Sequence, residues 1–384
     1  MVALLLFVIY LSYISIGLPD SLLGAAWPSM QPMLHVPLSH AGYLSMIISC
    51  GTVLSSLCAD RLLRRFGTGP VVSCSVLLTA LALYGFSAAE SYPMLYLSAV
   101  PYGLGAGAVD AALNHYVAVH YAARHMNWLH CFWGIGAAAS PYIMSYFLHR
   151  GGDWQGGYHA VAVIQFALTA MLFLSLPLWR RHPGAAADTG ASLHIPLLTL
   201  LRTPGVAQSL VTFFIYCAAE STIGLWAGSY LVHERGAAPD TAARFASFFF
   251  IGMTLGRLLG GFLAERVSGR GMIRLGLCGM GLGLSSLMFP LPYPAALCGM
   301  LLTGLGCAPI YPALIRETAL RYGAERAQSL IGMQMASAYL GTTLMPSCFG
   351  LLSGTCGMRL LPFWLFGFLL LIAVLTSFVF RRTE

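Results

Sequence analysis

Twelve apolar runs of about twenty residues or more follow one another along almost the whole of this 384-residue chain. An α-helix needs about 20 apolar residues to cross the hydrocarbon core of a bilayer. Inside lipid every backbone polar group has to be hydrogen-bonded within the segment, which favours helices for these runs. The predicted spans are residues 2–28, 41–60, 69–89, 92–119, 127–148, 157–179, 205–231, 242–264, 271–290, 293–315, 328–352 and 359–380.

The composition excludes a soluble globular protein. Only 9% of the residues are charged, whereas soluble domains carry about 25%. The net charge of +7 comes from twenty basic residues, all arginines, which lie in small groups between the apolar runs. This arrangement is typical of a membrane topology signal and not of a nucleic-acid-binding surface. We therefore expect an all-α membrane protein that has the lipid bilayer, and no nucleic acid, as a partner.

The arginines divide unequally between the two sides that the twelve spans define. Fifteen fall on one side and four on the other. Because positive charge concentrates on the cytoplasmic side of the inner membrane, we predict that the richer side and both termini are cytoplasmic. The fifteen are Arg61, Arg64, Arg65, Arg124, Arg180, Arg181, Arg202, Arg266, Arg270, Arg274, Arg316, Arg321, Arg326, Arg381 and Arg382, and the four are Arg150, Arg235, Arg244 and Arg359.

The two halves of the chain repeat in sequence at a nearly constant offset. PDSLLGAAW around Asp20 is similar to AESTIGLW around Glu220, and GLGAGAVDAAL from Gly103 is similar to GLGCAPIYPAL from Gly304. Parallel repeats are typical of transporters that rock one half against the other around a central site. We predict two pseudo-symmetric six-helix bundles joined by a polar linker. The domains are residues 1–179 and 205–384, with the cytoplasmic linker at 180–204.

The repeated segments also resemble a known family. SSLCADRLLRR after the second span and GGFLAERVSGR after the eighth are similar to the loop motif GxLaDrxGrr of the major facilitator superfamily, although Ser56 and Leu63 replace the usual glycines. DSLLGAAWP, GLGAGAVDAALN, NWLHCFWGIGA, AESTIGLW and APIYPALI resemble its fucose–proton symporter-like branch, which includes hexose transporters. The resemblance implies the major facilitator fold, with twelve transmembrane helices, and a secondary active transporter.

Three carboxylates lie inside apolar runs: Asp20, Asp110 and Glu220. Each charge in mid-membrane costs on the order of 3 kcal/mol on insertion scales, so these side chains have to face water, be paired or be protonated. Asp20 and Glu220 occupy equivalent repeat positions, and we expect both to point toward a central aqueous cavity. A structural carboxylate paired with a neighbouring helix is the alternative for each. The resemblance implies proton coupling for Asp20 and sugar binding for Asp110, and Glu220 is a further candidate for coupling to a proton or sodium ion.

Polar and aromatic side chains supply further candidates for substrate binding. Asn114 follows Asp110 by one helical turn on the same face, where an amide and a carboxylate can hold neighbouring sugar hydroxyls. Helix packing remains the alternative for the aromatic residues, a helix-bridging hydrogen bond for the glutamine, and a bond to a backbone carbonyl for the histidine. The full set is Asp110, Asn114, Asn127, His130, Trp27, Trp133, Trp226, Gln334 and Tyr339.

Arg257 lies inside the eighth span, about eight residues or about 12 Å from its cytoplasmic end. We expect its side chain to snorkel to the membrane interface; the alternative is a cavity cation for an anionic substrate. The two loop motifs are predicted to act as gates, in which an ion pair between the acid and the following arginine holds the halves closed on one side. The gate candidates are Asp60, Arg61, Arg65, Glu265, Arg266 and Arg270.

Together these features predict a secondary active transporter that moves a monosaccharide by proton-coupled symport with alternating access. The alternative is an efflux antiporter for drugs or organic anions. The sequence contains no GxxxxGK[ST] phosphate loop, which argues against an ATP-driven pump, and its short loops argue against a membrane enzyme. It contains neither CxxC nor HExxH, so we expect no metal site and no cofactor. We expect a monomer to be the functional unit.

Overall fold

The computed structural model describes residues 2–121, 123–151, 153–180, 200–289 and 291–382. Almost all of them are helical, and the prediction of an all-α protein is confirmed. The helices are α1 Val2–Asp20, α2 Leu22–Met33, α3 His40–Phe66, α4 Thr68–Ser87, α5 Tyr92–His120, α6 Ala123–Gly151, α7 Trp154–Arg180, α8 Val206–Arg235, α9 Pro239–Leu263, α10 Gly269–Met288, α11 Tyr293–Cys307, α12 Ile310–Cys356 and α13 Leu360–Arg382. Residues 181–199, which make up most of the predicted linker, lie outside the described ranges.

These helices make twelve crossings. α1 and α2 form the first crossing, which is interrupted at Ser21. α12 turns at Gly323, where φ is 75°, a left-handed value that glycine adopts at little cost. This turn separates the tenth crossing, made by α11 and the start of α12, from the eleventh. Within the described residues, nine helical segments are long and apolar enough to span a membrane. The other crossings, α5, α6 and the later part of α12, combine small residues with polar side chains.

The two halves of the molecule, α1–α7 and α8–α13, use the same helix pairings. In the first half, α3 and α4 both pack on α5, and α1 packs on α6. The equivalent helices of the second half pair in the same way, with α9 and α10 on α11 and α8 on α12. The pseudo-symmetry predicted from the sequence repeats is therefore present in the helix packing.

The halves meet tightly at one end of the molecule. We call this end the far face, because it lies opposite the terminal face, where α1 begins and α13 ends. Among the described residues, four main helix pairs cross between the halves: α2 with α8, α2 with α9, α3 with α12, and α6 with α9. At the far face Ser347 Oγ donates to Gly42 O at 2.8 Å, and His149 Nδ1 lies 3.0 Å from Asp240 Oδ2.

Two repeat-related glycines close the centre of the far face. Gly24 of α2 and Gly224 of α8 stand 200 residues apart, at the same position of the two repeats. A Cβ on Gly24 would overlap the Gly224 carbonyl and lie 2.8 Å from the Leu225 carbonyl oxygen. Only a residue without a Cβ permits this approach of two backbones. The pseudo-twofold axis therefore passes between α2 and α8.

Within the described ranges, the terminal face is open. Arg64 and Asp60, at the end of α3, are 74% and 70% exposed and pair with each other across one helical turn. On the second half, Arg316 Nη1 and the Tyr322 hydroxyl donate to backbone carbonyls of that same half. Because the contacts between the halves concentrate at the far face, the central cavity opens toward the terminal face.

Candidate functional site

A break in the first membrane helix positions Asp20. Pro19 cannot donate a helical hydrogen bond, and the helix is interrupted at Ser21. Ser21 Oγ lies 2.8 Å from Ser140 Oγ, which ties the break to α6. The Asp20 side chain consequently lies beside α6, where Trp133 Nε1 donates to Asp20 Oδ2 at 2.7 Å. Asp20 is exposed in the middle of an apolar crossing because it faces the cavity.

Asp110 is the centre of a second polar cluster in the first half. Its Oδ1 accepts hydrogen bonds from the Tyr13 hydroxyl at 2.9 Å and from Asn114 Nδ2 at 3.0 Å. The His130 ring packs edge-on against the Tyr13 ring, with centroids 5.7 Å apart. The structure therefore brings Asp110, Asn114 and His130 together, and both donors to the carboxylate are neutral groups.

Arg257 enters the cavity from α9 of the second half. Its Nη2 lies 3.7 Å from Glu220 Oε1 of α8, and its guanidinium carbon lies 4.6 Å from the centroid of the Trp133 ring. The Arg257 and Glu220 side chains are 20% and 24% exposed. The expectation that Arg257 snorkels to the membrane interface is wrong, because a carboxylate and an aromatic face give the guanidinium partners inside the protein.

Two tyrosines of the second half complete the cavity. Tyr311 interacts electrostatically with Asp110 and Glu220. It occupies the repeat position of Asp110, 201 residues later, and this equivalence is the sequence signal that could have identified it. Tyr339 also interacts electrostatically with Asp110. Sequence reasoning named Tyr339 but missed Tyr311 and the tyrosine that bonds Asp110.

Two tryptophans that we expected in the cavity are buried in helix packing instead. Trp27 and Trp226 hold nearly equivalent repeat positions and are both 0% exposed. Trp27 Nε1 donates to Leu38 O at 3.0 Å, and Trp226 Nε1 donates to Pro346 O at 2.9 Å. A backbone carbonyl thus satisfies each indole donor. Neither ring reaches the cavity in this structure.

Gln334 is also placed in the protein interior, at 2% exposure. Its Nε2 donates to Ser209 Oγ at 2.7 Å and to Thr318 Oγ1 at 2.8 Å. The amide therefore bridges neighbouring helices, which is the alternative interpretation given above, and does not face the cavity. The side chain of Asn127, another candidate, lies outside the part of the chain that the structure describes.

The first loop motif lies at the terminal face with a pairing different from the predicted one. Asp60 pairs with Arg64 at 3.0 Å and not with Arg61. Residues four apart share a helix face, whereas sequence neighbours point in different directions. The predicted ion pair between the acid and the next arginine is therefore wrong. Arg61 and Arg65 are both exposed.

The second loop motif follows α9 on the same face. Glu265 and Arg266 are exposed, and no ion pair joins them within the described ranges. Arg270 instead lies over the Phe380 ring of α13, with its guanidinium carbon 4.9 Å from the centroid. In this open terminal face the motifs do not bridge the two halves.

Acidic side chains outnumber basic ones among the described residues of the cavity. Among the described residues at its centre, three carboxylates face one guanidinium, and that guanidinium is paired with Glu220. Asp20 interacts electrostatically with both Asp110 and Glu220. Ionised carboxylates in such a site repel anions relative to neutral solutes, and the same groups can take up protons. No group of three or more His, Cys, Asp or Glu in the described ranges is arranged to hold a metal ion.

Two pseudo-symmetric six-helix bundles around a polar cavity are typical of transporters that work by alternating access. The sequence matches the model of the Major Facilitator Superfamily over residues 9–236 and 209–384. The chain belongs to the major facilitator superfamily, so it is a membrane transporter and not an enzyme. The family resemblance seen in the sequence is confirmed at this level.

The chain is also similar to named proteins from yeast and bacteria. The chain is 23% identical over 281 residues to Bypass of stop codon protein 6 of Saccharomyces cerevisiae, a match that covers 66% of this chain and 56% of that protein. It is 20% identical over 362 residues to the cis,cis-muconate transport protein of Acinetobacter baylyi, covering 86% and 87%. It is 18% identical over 265 residues to the glucose/mannose transporter GlcP of Bacillus subtilis, covering 67% and 65%. The match thus spans little more than half the length of the yeast relative.

Solved structures share the fold over almost the whole chain. A D-xylose–proton symporter superposes with a TM-score of 0.78 at 14% identity, covering 99% of this chain and 98% of its own. A mutant of the nucleoside transporter NupG gives a TM-score of 0.78 at 14% identity, covering 97% and 98%. These likenesses confirm the predicted major facilitator fold of twelve transmembrane helices.

Proposed function

We propose that this protein moves a monosaccharide across the membrane together with a proton. The observation that carries the proposal is the charge balance of the cavity. Arg257 already has a carboxylate partner, whereas Asp20 and Asp110 accept hydrogen bonds from neutral donors. An anionic solute would meet two further carboxylates at short range, while a neutral, hydroxyl-rich solute would not be repelled.

The polar cluster around Asp110 suits sugar hydroxyls. A hydroxyl can donate to the Asp110 carboxylate or to Asn114 Oδ1, because Asn114 Nδ2 already donates to Asp110. The Trp133 indole and the nearby tyrosines offer aromatic faces for the C–H side of a sugar ring. A glucose/mannose transporter among the relatives and a D-xylose–proton symporter among the structures support this substrate class.

Proton coupling is supported by the position of Asp20. A charged carboxylate is costly in an occluded, dry cavity, whereas its neutral acid is not. Asp20 is exposed to the cavity in this structure and can therefore exchange a proton with water there. When a solute and a proton bind together, protonation removes the charge of Asp20, so that the occluded cavity carries less charge during the transport step.

Efflux of an organic anion is the second candidate function. It is favoured by the presence of Arg257 in the cavity, and one relative is a cis,cis-muconate transport protein. An anion would have to compete with Glu220 for the guanidinium and outweigh the repulsion from the other carboxylates. For this reason the sugar proposal is preferred.

Transport by purified protein in proteoliposomes tests both candidates. Labelled monosaccharides and organic anions are offered under an imposed pH gradient, with a sodium gradient as a separate arm. We expect a monosaccharide to accumulate when the pH gradient drives it. If a sodium gradient drives accumulation and the pH gradient does not, the coupling ion is sodium and the proposed proton coupling is wrong. If organic anions bind and Arg257→Gln alone abolishes that binding, the substrate is an organic anion and the sugar proposal is wrong.

We further propose that the protein is a monomer in the cell inner membrane, with the terminal face toward the cytoplasm. The orientation is supported by the excess of arginines, fifteen against four, on the side of the chain ends. In this orientation the cavity faces the cytoplasm, the side on which an uptake symporter releases its solute.

A further inference from the structure

Four side chains form a continuous line of contacts in the middle of the molecule, at the inner end of the α6–α9 packing that continues to the far face. Trp133 Nε1 donates to Asp20 at 2.7 Å, the Arg257 guanidinium lies 4.6 Å from the Trp133 ring centroid, and Glu220 lies 3.7 Å from Arg257. Asp20 and Trp133 belong to the first half, whereas Arg257 and Glu220 belong to the second. The line therefore crosses from one half to the other at the contact between indole and guanidinium.

Close packing of α6 on α9 fixes this contact. A Cβ on Gly134 would overlap the side chain of Thr254 on α9, so the two helices can approach only because residue 134 is glycine. Arg257 follows Thr254 by about one helical turn, which places its side chain at the level of Trp133. The Trp133 ring also packs edge-on against Phe250 of α9, with centroids 6.4 Å apart.

The indole can transmit the charge state of Asp20 to Arg257. A hydrogen bond to an ionised carboxylate is about twice as strong as one between neutral groups, so ionised Asp20 holds the ring more firmly. The same bond polarises the indole and makes its face more negative, and attraction of a cation to that face is electrostatic. When Asp20 is protonated both effects weaken, and Arg257 keeps Glu220 as the partner in its own half.

We propose that Trp133 and Arg257 are positioning residues that link release of the proton from Asp20 to closure of the far face. This inference rests on the proposed proton coupling. Because linkage is reciprocal, ionised Asp20 favours the closed far face and the closed far face favours ionised Asp20. The carrier then releases its proton while the cavity opens to the terminal face and takes one up while it opens to the far face, which is the order that symport requires.

Other ionisable groups have to be separated from this link. His149 and Asp240 form the ion pair at the far face, and a histidine pair responds to pH on its own. The test is therefore made in a His149→Gln background. The groups that interact electrostatically with Asp20 or Arg257 from the surrounding helices are Asp110, Glu220, Tyr102, His130, Cys131, Tyr216, Cys217 and Cys307.

Distances between spin labels across the far face test the link without any substrate. The labels are attached to Asp153→Cys on the first half and Ala238→Cys on the second, two exposed positions next to α6 and α9, in a variant without the native cysteines. Between about pH 5 and about pH 8, we expect the ratio of short to long distances to rise about two- to fivefold. Trp133→Phe, which keeps a ring and loses the N–H donor, should abolish the rise, as should Asp20→Asn and Arg257→Gln.

Matched variants keep the result interpretable. Trp128→Phe makes the same substitution at an exposed position of α6 and should leave the pH response intact. Arg257→Lys keeps a cation and should retain part of the response, which separates loss of charge from misfolding. A full response in Trp133→Phe, or no response in the background protein, would overturn the link. A failure of proton-driven uptake in proteoliposomes would instead overturn the proposed function, because the distance measurement involves no transport.

Discussion

Asp20 and Asp110 share a cavity but have different surroundings. Asp110 accepts hydrogen bonds from Tyr13 and Asn114 and suits a substrate hydroxyl, whereas Asp20 is open to the cavity. We expect Asp20→Asn to stop uphill accumulation and to permit exchange of labelled for unlabelled substrate, because exchange needs no net loss of a proton. Asp110→Ala should lose both activities, because it loses substrate. Proteoliposomes with an imposed pH gradient measure the two activities separately.

Glu220→Gln is the comparison variant for this experiment. Glu220 already has the Arg257 guanidinium 3.7 Å away, so its charge is compensated in this state of the carrier. We therefore expect Glu220→Gln to retain accumulation better than Asp20→Asn does. The reverse order, with accumulation in Asp20→Asn and none in Glu220→Gln, would assign proton coupling to α8.

Asn114 is expected to bind substrate directly. Asn114→Ala should weaken binding by about 1–3 kcal/mol, the cost of leaving a buried polar partner unpaired. This cost corresponds to an increase in Kd of about 5- to 150-fold, measured by calorimetric titration with the transported sugar. His120→Ala, at the end of the same helix, serves as a control with unchanged affinity, because His120 bonds the Tyr116 carbonyl outside the cavity. Equal substrate affinities in Asn114→Ala and His120→Ala would show that Asn114 does not bind the substrate.

The sequence around a residue predicts the location of its side chain in the folded protein better for some residue types than for others. A carboxylate inside an apolar run has few tolerable environments, and in this structure Asp20 and Glu220 lie at the cavity. An indole is tolerated in lipid, in helix packing and in a cavity alike, so the same reasoning selects both Trp133, which bonds Asp20, and Trp27, which is buried in helix packing. Arg257 was misplaced because its two partners come from other helices, and the spacing within α9 does not reveal them.

Among the helices, the approach of α2 to α8 depends on Gly24. A Cβ there would overlap the Gly224 carbonyl, and backbone cannot rotate out of the way. Overpacking of this kind costs about 1–3 kcal/mol, so Gly24→Val should shift the population about 5- to 150-fold toward an open far face. Spin labels at positions 153 and 238 measure the shift. In the control Gly261→Val a Cβ meets nothing within 4 Å, and we expect no shift. A far face that stays closed in Gly24→Val would show that this contact is not required for closure.

The existence of the helices follows from the apolar runs, whereas their breaks and ends do not. The first run was predicted to end at residue 28, but the crossing continues to Met33 and breaks at Ser21. The break is held by hydrogen bonds from Ser21 to α6, a tertiary contact that local sequence does not encode. The pairing in the first loop motif was wrong because α3 continues to Phe66, which puts Asp60 and Arg64 on one helical face.

In the whole molecule, the repeats predict which residues are equivalent but not which end of the cavity is open. Gly24 meets its repeat partner Gly224 at the pseudo-twofold axis, and Asp20 and Glu220 stand one turn away toward the cavity. A carrier that rocks one half against the other builds both of its states from the same helices. The sequence therefore has to stabilise both states, and the repeats alone do not reveal that the far face is the closed one in this structure.

The orientation of the whole molecule in the membrane rests on its arginines, and one cysteine pair tests it. Asp188, in the linker and outside the described residues, is predicted to be cytoplasmic. In a cysteine-free variant, Asp188→Cys should resist an impermeant thiol reagent in intact cells and react once the cells are permeabilised. Ala238→Cys, exposed at the far face, should react in intact cells. If Asp188→Cys reacts in intact cells and Ala238→Cys does not, the orientation in the membrane is the opposite of the predicted one. The cavity of this structure would then face outward, and the link between Asp20 and the far face would drive release to the outside.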